Sequence, residues 1–78
     1  MSHNSTEKLV KMANQIGSFF AAQRYPESVA GMAEHIMKFW DPRMRAAIIE
    51  HVAHGGEGLE SIAIEAVKRL PPVVVADA

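Results

Sequence analysis

The sequence predicts an all-α fold, a small bundle of four helices with short loops and an extended C-terminal tail. Three observations carry this. Apolar residues recur three and four positions apart from Leu9 to Leu70, the period of an amphipathic helix. The pattern is broken at Pro26, at Asp41-Pro42 and at Gly55-Gly56-Glu57-Gly58, and Pro and Gly are the residues that punctuate helices. Pro71-Pro72 then ends it. With no repeat or low-complexity stretch, residues 1–78 read as one domain, with a helical core over about 5–70 and a tail over 71–78.

The first helix is expected from about Ser5 to Gln23. Asn4 is placed to cap it, with Glu7 three residues on as the reciprocal partner of a capping box. Leu9, Met12, Ala13, Ile16, Phe19 and Phe20 fill an arc of about 120°, one core-facing stripe, and Lys8, Lys11, Asn14 and Ser18 fall outside it. Arg24-Tyr25-Pro26 is a turn, and Pro26 suits the first position of a second helix, where its missing N–H costs nothing.

The second helix runs to about Trp40. Val29, Met32, Ala33, Ile36, Met37, Phe39 and Trp40 face one way; Glu27, Gly31, Glu34 and Lys38 face the other. Its apolar arc of about 160° exceeds what one packing contact needs, so it is expected at the centre of the bundle or between two neighbours. A residue before proline is pushed out of helical geometry. That suits Asp41 as the cap of a third helix opened by Pro42, which extends to about His54 with Met44, Ile48 and Val52 inward. Gly55 is expected as its left-handed terminator. The fourth helix spans about Leu59 to Leu70 with Leu59, Ile62, Ala63, Ala66 and Leu70 inward. Val73-Val74-Val75 favours extended structure. The competing reading is a helical hairpin plus two helices that order only on a partner.

A 78-residue chain buries a small fraction of its surface and gains from an outside staple. It has no cysteine, which removes disulfides and thiolate metal sites and leaves a partner protein as the staple. Eight basic and nine acidic residues give a net charge of -1. Broad binding to nucleic acid or anionic lipid needs a basic surface, so neither is expected. No apolar run approaches the roughly 18 residues of a membrane span. The start Met1-Ser2-His3-Asn4-Ser5-Thr6-Glu7 lacks a basic and then apolar leader. A cytoplasmic location is the expectation.

No catalytic constellation is apparent. A thiol nucleophile is excluded by composition. Gly55-Gly56-Glu57-Gly58 lacks the Gly-Lys-Ser/Thr ending of a phosphate loop and follows no strand, so it reads as a helix-helix turn. His51 and His54 stand three apart on one helix, with Glu50 beside them and His35 able to join from elsewhere. They match no zinc spacing, and His54 falls in a last turn that favours a cation. Metal is therefore not expected in this chain.

The segment Phe39-Trp40-Asp41-Pro42-Arg43-Met44-Arg45 is the most informative. Two aromatics precede a cap, and two arginines follow at a helix start, where cations are disfavoured. Either a local partner such as Asp41 offsets them, or an external anion does, a partner carboxylate or a phosphate held by free N–H groups and the arginines. Aromatic and arginine residues are enriched at interface hot spots. Phe39, Trp40, Asp41, Arg43 and Arg45 are accordingly the candidate partner-binding residues. Val10, Ile49 and Ile64 fall off their stripes. Either they are scattered exposure or a wider core, or with Trp40 and Val73–Val75 they form a docking patch. Trp40 itself is expected to fill the junction of the second and third helices, with an anchor in a partner's pocket as the alternative.

These residues resemble a known family. Met12-Ala13-Asn14-Gln15-Ile16-Gly17 followed by Phe19-Phe20 is similar to the opening of formate dehydrogenase delta subunits. His35-Ile36-Met37-Lys38-Phe39-Trp40-Asp41-Pro42-Arg43-Met44-Arg45 resembles that family's Phe-Trp-Asp/Glu-Pro-Arg-Met-Arg block, and Gly55–Leu59 its glycine turn. The likeness covers about residues 8 to 70 and leaves out the tail. It implies a soluble, NAD-dependent formate dehydrogenase complex. There the alpha subunit carries bis-molybdopterin guanine dinucleotide and iron-sulfur clusters and oxidises formate to carbon dioxide. Beta and gamma subunits carry FMN and clusters and pass electrons to NAD. The delta subunit carries no cofactor of its own and assembles or stabilises the complex. The resemblance thus implies a non-catalytic subunit docked on alpha. Two further roles compete with it: a maturation factor that touches the guanine dinucleotide through Arg43 and Arg45 during insertion, and a free-standing helical regulator.

Overall fold

The computed structural model describes residues 2–73, with side chains from Thr6 onward. Four helices follow one another: α1 (Ser2–Phe20), α2 (Glu27–Phe39), α3 (Pro42–Ala53) and α4 (Ser61–Lys68). Among the described residues there is no strand. The expected four-helix class is therefore the observed one. Pro71 to Val73 carry no regular structure, and the rest of the expected extended tail, Val74 to Ala78, lies outside the described residues.

Packing explains the breadth of the apolar arc on α2. That helix lies against both α1 and α4, and α3 in turn lies against α1 and α4. Val29, Met32 and Ile36 of α2 are fully buried, meeting Leu9 and Ala13 of α1, Ile48 of α3, and Ala63, Ala66, Val67 and Leu70 around α4. The approach between α1, α2 and α4 is close because a side chain is missing at Gly17. A Cβ there would stand 3.0 Å from Ile62 Cγ2 and 3.5 Å from Met32 Sδ, tighter than carbon atoms pack at rest.

Several boundaries differ from the sequence expectation. α1 begins at Ser2, so the backbone of Asn4 lies inside the first turn and not at the cap. Prolonging a nucleated helix costs little. At the other end the helix stops at Phe20, three residues early, because Gln23 N–H bonds to the Phe20 carbonyl (2.9 Å) and tightens the turn. Pro26 caps α2 instead of occupying its first position. α4 is shorter than expected at both ends, with Leu59 half-buried and Leu70 buried outside it.

The corner and the glycine turn match expectation. Asp41 is extended (φ -77, ψ 169) and its Oδ1 accepts the Met44 N–H at 2.9 Å. That satisfies an orphan donor of the first turn of α3. α3 ends with Gly56 N–H bonded to the His51 carbonyl (2.9 Å) and Gly55 N–H to the Val52 carbonyl (3.0 Å). This 6→1 and 5→2 pair requires a left-handed residue after the helix, and Gly55 supplies it at φ +115.

Candidate functional site

The segment from Phe39 to Arg45 divides into an inward and an outward half. Trp40 is the C-cap of α2, with its N–H on the Ile36 carbonyl at 2.9 Å, and its indole is 5% exposed, part of the core. Asp41 caps α3. Arg45 turns back: its Nε donates to the Trp40 carbonyl at 3.3 Å, and its Nη1 reaches Met37 Sδ at 3.6 Å. The start of α3 is therefore also the end of α2. A cation disfavoured by one helix dipole sits at the negative end of the other, where it is favoured. This offsets Arg45 within the chain, through the end of α2 and not through Asp41.

Arg43 and Phe39 form the outward half. Arg43 is exposed. Phe39 is 71% exposed, although its position on the wheel of α2 placed it inward. Its ring is tilted at 35° to His35 with centroids 4.6 Å apart. His35 meets Phe20 edge-on at 5.9 Å, and Phe20 meets Phe19 at 5.1 Å. Four rings thus form a row across α1 and α2, with Phe19 at the other end 69% exposed. The signal in the sequence was the i, i+4, i+8 spacing of Gly31, His35 and Phe39, which share one stripe. Lys38 and Glu34 pair beside it at 3.3 Å, an exposed contact of small energetic weight.

The docking patch considered from Val10, Ile49, Ile64, Trp40 and Val73–Val75 is not assembled from the first four of these, and Val74 and Val75 lie outside the described residues. Trp40 is in the core, and Val10 and Ile49 pack against it. Helical wheels allow for helices but not for the loop. The α3–α4 turn lies over these side chains: a Cβ on Gly58 would be 3.4 Å from Val10 Cγ1, and one on Gly56 3.3 Å from Ile64 Cγ1. Both glycines have positive φ, which lets bare backbone fill the space.

Asn14, which fell outside the stripe of its helix, holds that turn in place. Its Nδ2 donates to the Gly58 carbonyl and its Oδ1 accepts the Glu60 N–H, each at 2.9 Å. His51 helps: Nε2 stands 2.8 Å from the Glu57 carbonyl. A carbonyl only accepts, so that nitrogen carries the proton. His54 Nδ1 likewise meets the Glu50 carbonyl of its own helix at 2.9 Å. His51 and His54 are thus occupied with backbone, and His35 is in the aromatic row. Among the described residues no three His, Asp or Glu side chains converge on a metal position, and no helix is long and apolar enough to cross a membrane.

Against known families, residues 8–67 match the model of FdsD, the NADH-dependent formate dehydrogenase delta subunit. No curated protein and no solved structure matched the chain. The matched span begins at Lys8, one residue before Leu9, and ends at Val67, so it takes in Asn14, the aromatic row, the Trp40–Arg45 corner and the glycine turn together. The chain belongs to the family of NADH-dependent formate dehydrogenase delta subunits.

Proposed function

We propose that this delta subunit is a non-catalytic accessory chain, working in the cytoplasm, that assembles or stabilises the alpha subunit of the complex. One observation carries the reading. The Asp41 carboxylate and the Arg45 guanidinium are used internally, by the cap and by the Arg45–Trp40 bond, while Phe39 and Arg43 remain exposed. Such a surface binds protein. Asp41 and Arg45 serve it by positioning, and Trp40 by fixing the corner from inside. By family resemblance the alpha subunit holds bis-molybdopterin guanine dinucleotide and iron-sulfur clusters, and beta and gamma subunits hold FMN and clusters and deliver electrons to NAD. This chain does not fit such groups. It offers no thiolate for a cluster. The maturation role also loses support, since the Asp41 carboxylate already occupies the start of α3, where a phosphate would need free N–H groups.

The test is gentle removal of this chain from assembled complex. Formate-dependent NAD reduction is expected to persist, while the remaining subunits dissociate or unfold at lower temperature. Immediate loss of turnover with alpha still fully loaded overturns the accessory role.

A further inference from the structure

We infer that Met37 is an oxidation site: hydrogen peroxide converts its thioether to a sulfoxide that the Arg45 guanidinium receives, and the modification fastens the corner between α2 and α3. With no cysteine in the chain, methionine sulfur is the group that peroxide oxidises. Met32 is fully buried beside Gly17, and Met44 packs against the core. An oxygen added at either would put a polar group among packed apolar side chains. Met12 and Met37 are each 39% exposed and belong neither to the core nor to the side chains packed against it. Peroxide reaches both, with little core packing at stake. What marks Met37 is Arg45, whose Nη1 donates to its sulfur at 3.6 Å. The Nε of the same group holds the Trp40 carbonyl at 3.3 Å.

Hydrogen peroxide supplies the oxygen. A lone pair of the sulfur attacks one peroxide oxygen, the S–O bond forms as the O–O bond breaks, and the other oxygen leaves as water. Sulfur loses two electrons and the peroxide gains them. The product changes the strength of the contact. A thioether is a weak acceptor. A sulfoxide oxygen carries a large negative partial charge, and a hydrogen bond to it from a guanidinium is charge-assisted. Nη1 already lies on the sulfur, so a short shift of a flexible side chain carries its hydrogen bond to the new oxygen. Nε stays on the Trp40 carbonyl, at the end of α2 where a cation is favoured. At an ordinary exposed methionine, oxidation only makes the side chain more polar. Here it ties the last turn of α2 to the first turns of α3. A sulfoxide reductase that draws on a dithiol reverses the step, returning the thioether with release of water and oxidation of the dithiol to a disulfide.

The experiment treats the full chain with hydrogen peroxide, locates the added oxygen by peptide mass spectrometry and follows thermal unfolding by circular dichroism. Met37 is expected to gain oxygen at least about tenfold faster than the buried Met32. Wild type and Met37→Leu are melted before and after oxidation, the second reporting what the other methionines contribute. The change in melting temperature on oxidation is expected to be more favourable in wild type by about 4–8 °C, the response of a chain this size to one hydrogen bond. In Arg45→Ala that advantage is expected to vanish. Met37→Gln is a second variant that needs neither peroxide nor the loss of Arg45. Its amide oxygen imitates the sulfoxide, and Gln and Leu have similar helix propensities, so Met37→Gln is expected to melt above Met37→Leu. A Met37 as slow to react as Met32 overturns the site. An equal shift on oxidation in wild type and Met37→Leu overturns the fastening, and an advantage that survives in Arg45→Ala overturns the role of Arg45. If Arg45→Ala does not fold, the Gln and Leu pair decides, and equal midpoints overturn the inference.

Discussion

The side-chain oxygen of Asn14 accepts the backbone N–H of Glu60 at 2.9 Å, a bond between residues 46 apart in sequence. Glu60 is the N-cap of α4 and makes no side-chain cap of its own. Asn14 thus supplies from α1 what a local Ser or Asp usually supplies, and its amide nitrogen holds Gly58 at the same time.

Asn14→Ala is therefore expected to destabilise the fold by about 1–3 kcal/mol, from two lost hydrogen bonds and a donor left without its partner. Asn14→Asp keeps the acceptor for Glu60 but sets a carboxylate against the Gly58 carbonyl, and should recover little of the loss. Urea melts of the three proteins measure it.

Trp40→Ala opens a cavity where α2 meets α3. Truncating a buried Trp costs about 3–5 kcal/mol, a large part of the 5–15 kcal/mol or so available to a small domain. The isolated variant is expected to lose its cooperative thermal transition or to melt far below wild type. A wild-type midpoint with weakened partner binding would instead mean that the indole leaves the core on docking.

The two arginines should separate cleanly. Arg45→Ala frees the Trp40 carbonyl and removes a favourable charge from the end of α2, so it lowers the melting temperature of the isolated chain. Arg43→Ala leaves that temperature unchanged and weakens retention in the complex more than Lys8→Ala or Lys68→Ala does. Truncating a charged group that is hydrogen-bonded at an interface costs about 2–5 kcal/mol. Co-purification with tagged alpha subunit reads retention, and circular dichroism reads the melt.

Gly17→Leu tests the close approach of α1 to its neighbours. Glycine inside a helix is normally a liability of about 1 kcal/mol, so an open site would gain from substitution. With Ile62 and Met32 against it, overpacking is expected to cost about 1–3 kcal/mol net. An increase in stability would show that α4 gives way easily.

How much of this was legible in the sequence follows from the range of the forces involved. The breaks at Asp41-Pro42 and Gly55-Gly56 are local restrictions on backbone dihedrals, and they hold wherever the residues occur. The class of fold followed from them and from the apolar period. The breadth of the α2 stripe predicted two neighbours, and it has them. Phe39 fell inside that stripe and nevertheless points to solvent, because a wheel cannot say which edge of a broad arc a neighbour will cover. The sequence places Asn14 off the apolar stripe of its helix and cannot show its partners, which lie more than 40 residues away. Val67 falls outside the inward set that the period of α4 predicts, yet it is buried. Of the candidate docking residues, Phe39, Asp41 and Arg43 are exposed as a contact surface requires, although Asp41 also caps α3, while Trp40 is buried and Arg45 is half-buried against the corner.

The brevity of α4 has a kinetic consequence. Eight residues are too few for a helix to persist alone in water, since nucleation outweighs so little propagation. α4 must therefore wait for α1 and α2 to offer a surface, and the ring it then closes through Asn14 spans more than half the chain. Loop closure of that length comes late and slows folding. The amide hydrogens of α4 should accordingly exchange with solvent only through openings that release α1 as well. A protease that cuts near the glycine turn would find its target mainly in chains that have unfolded entirely.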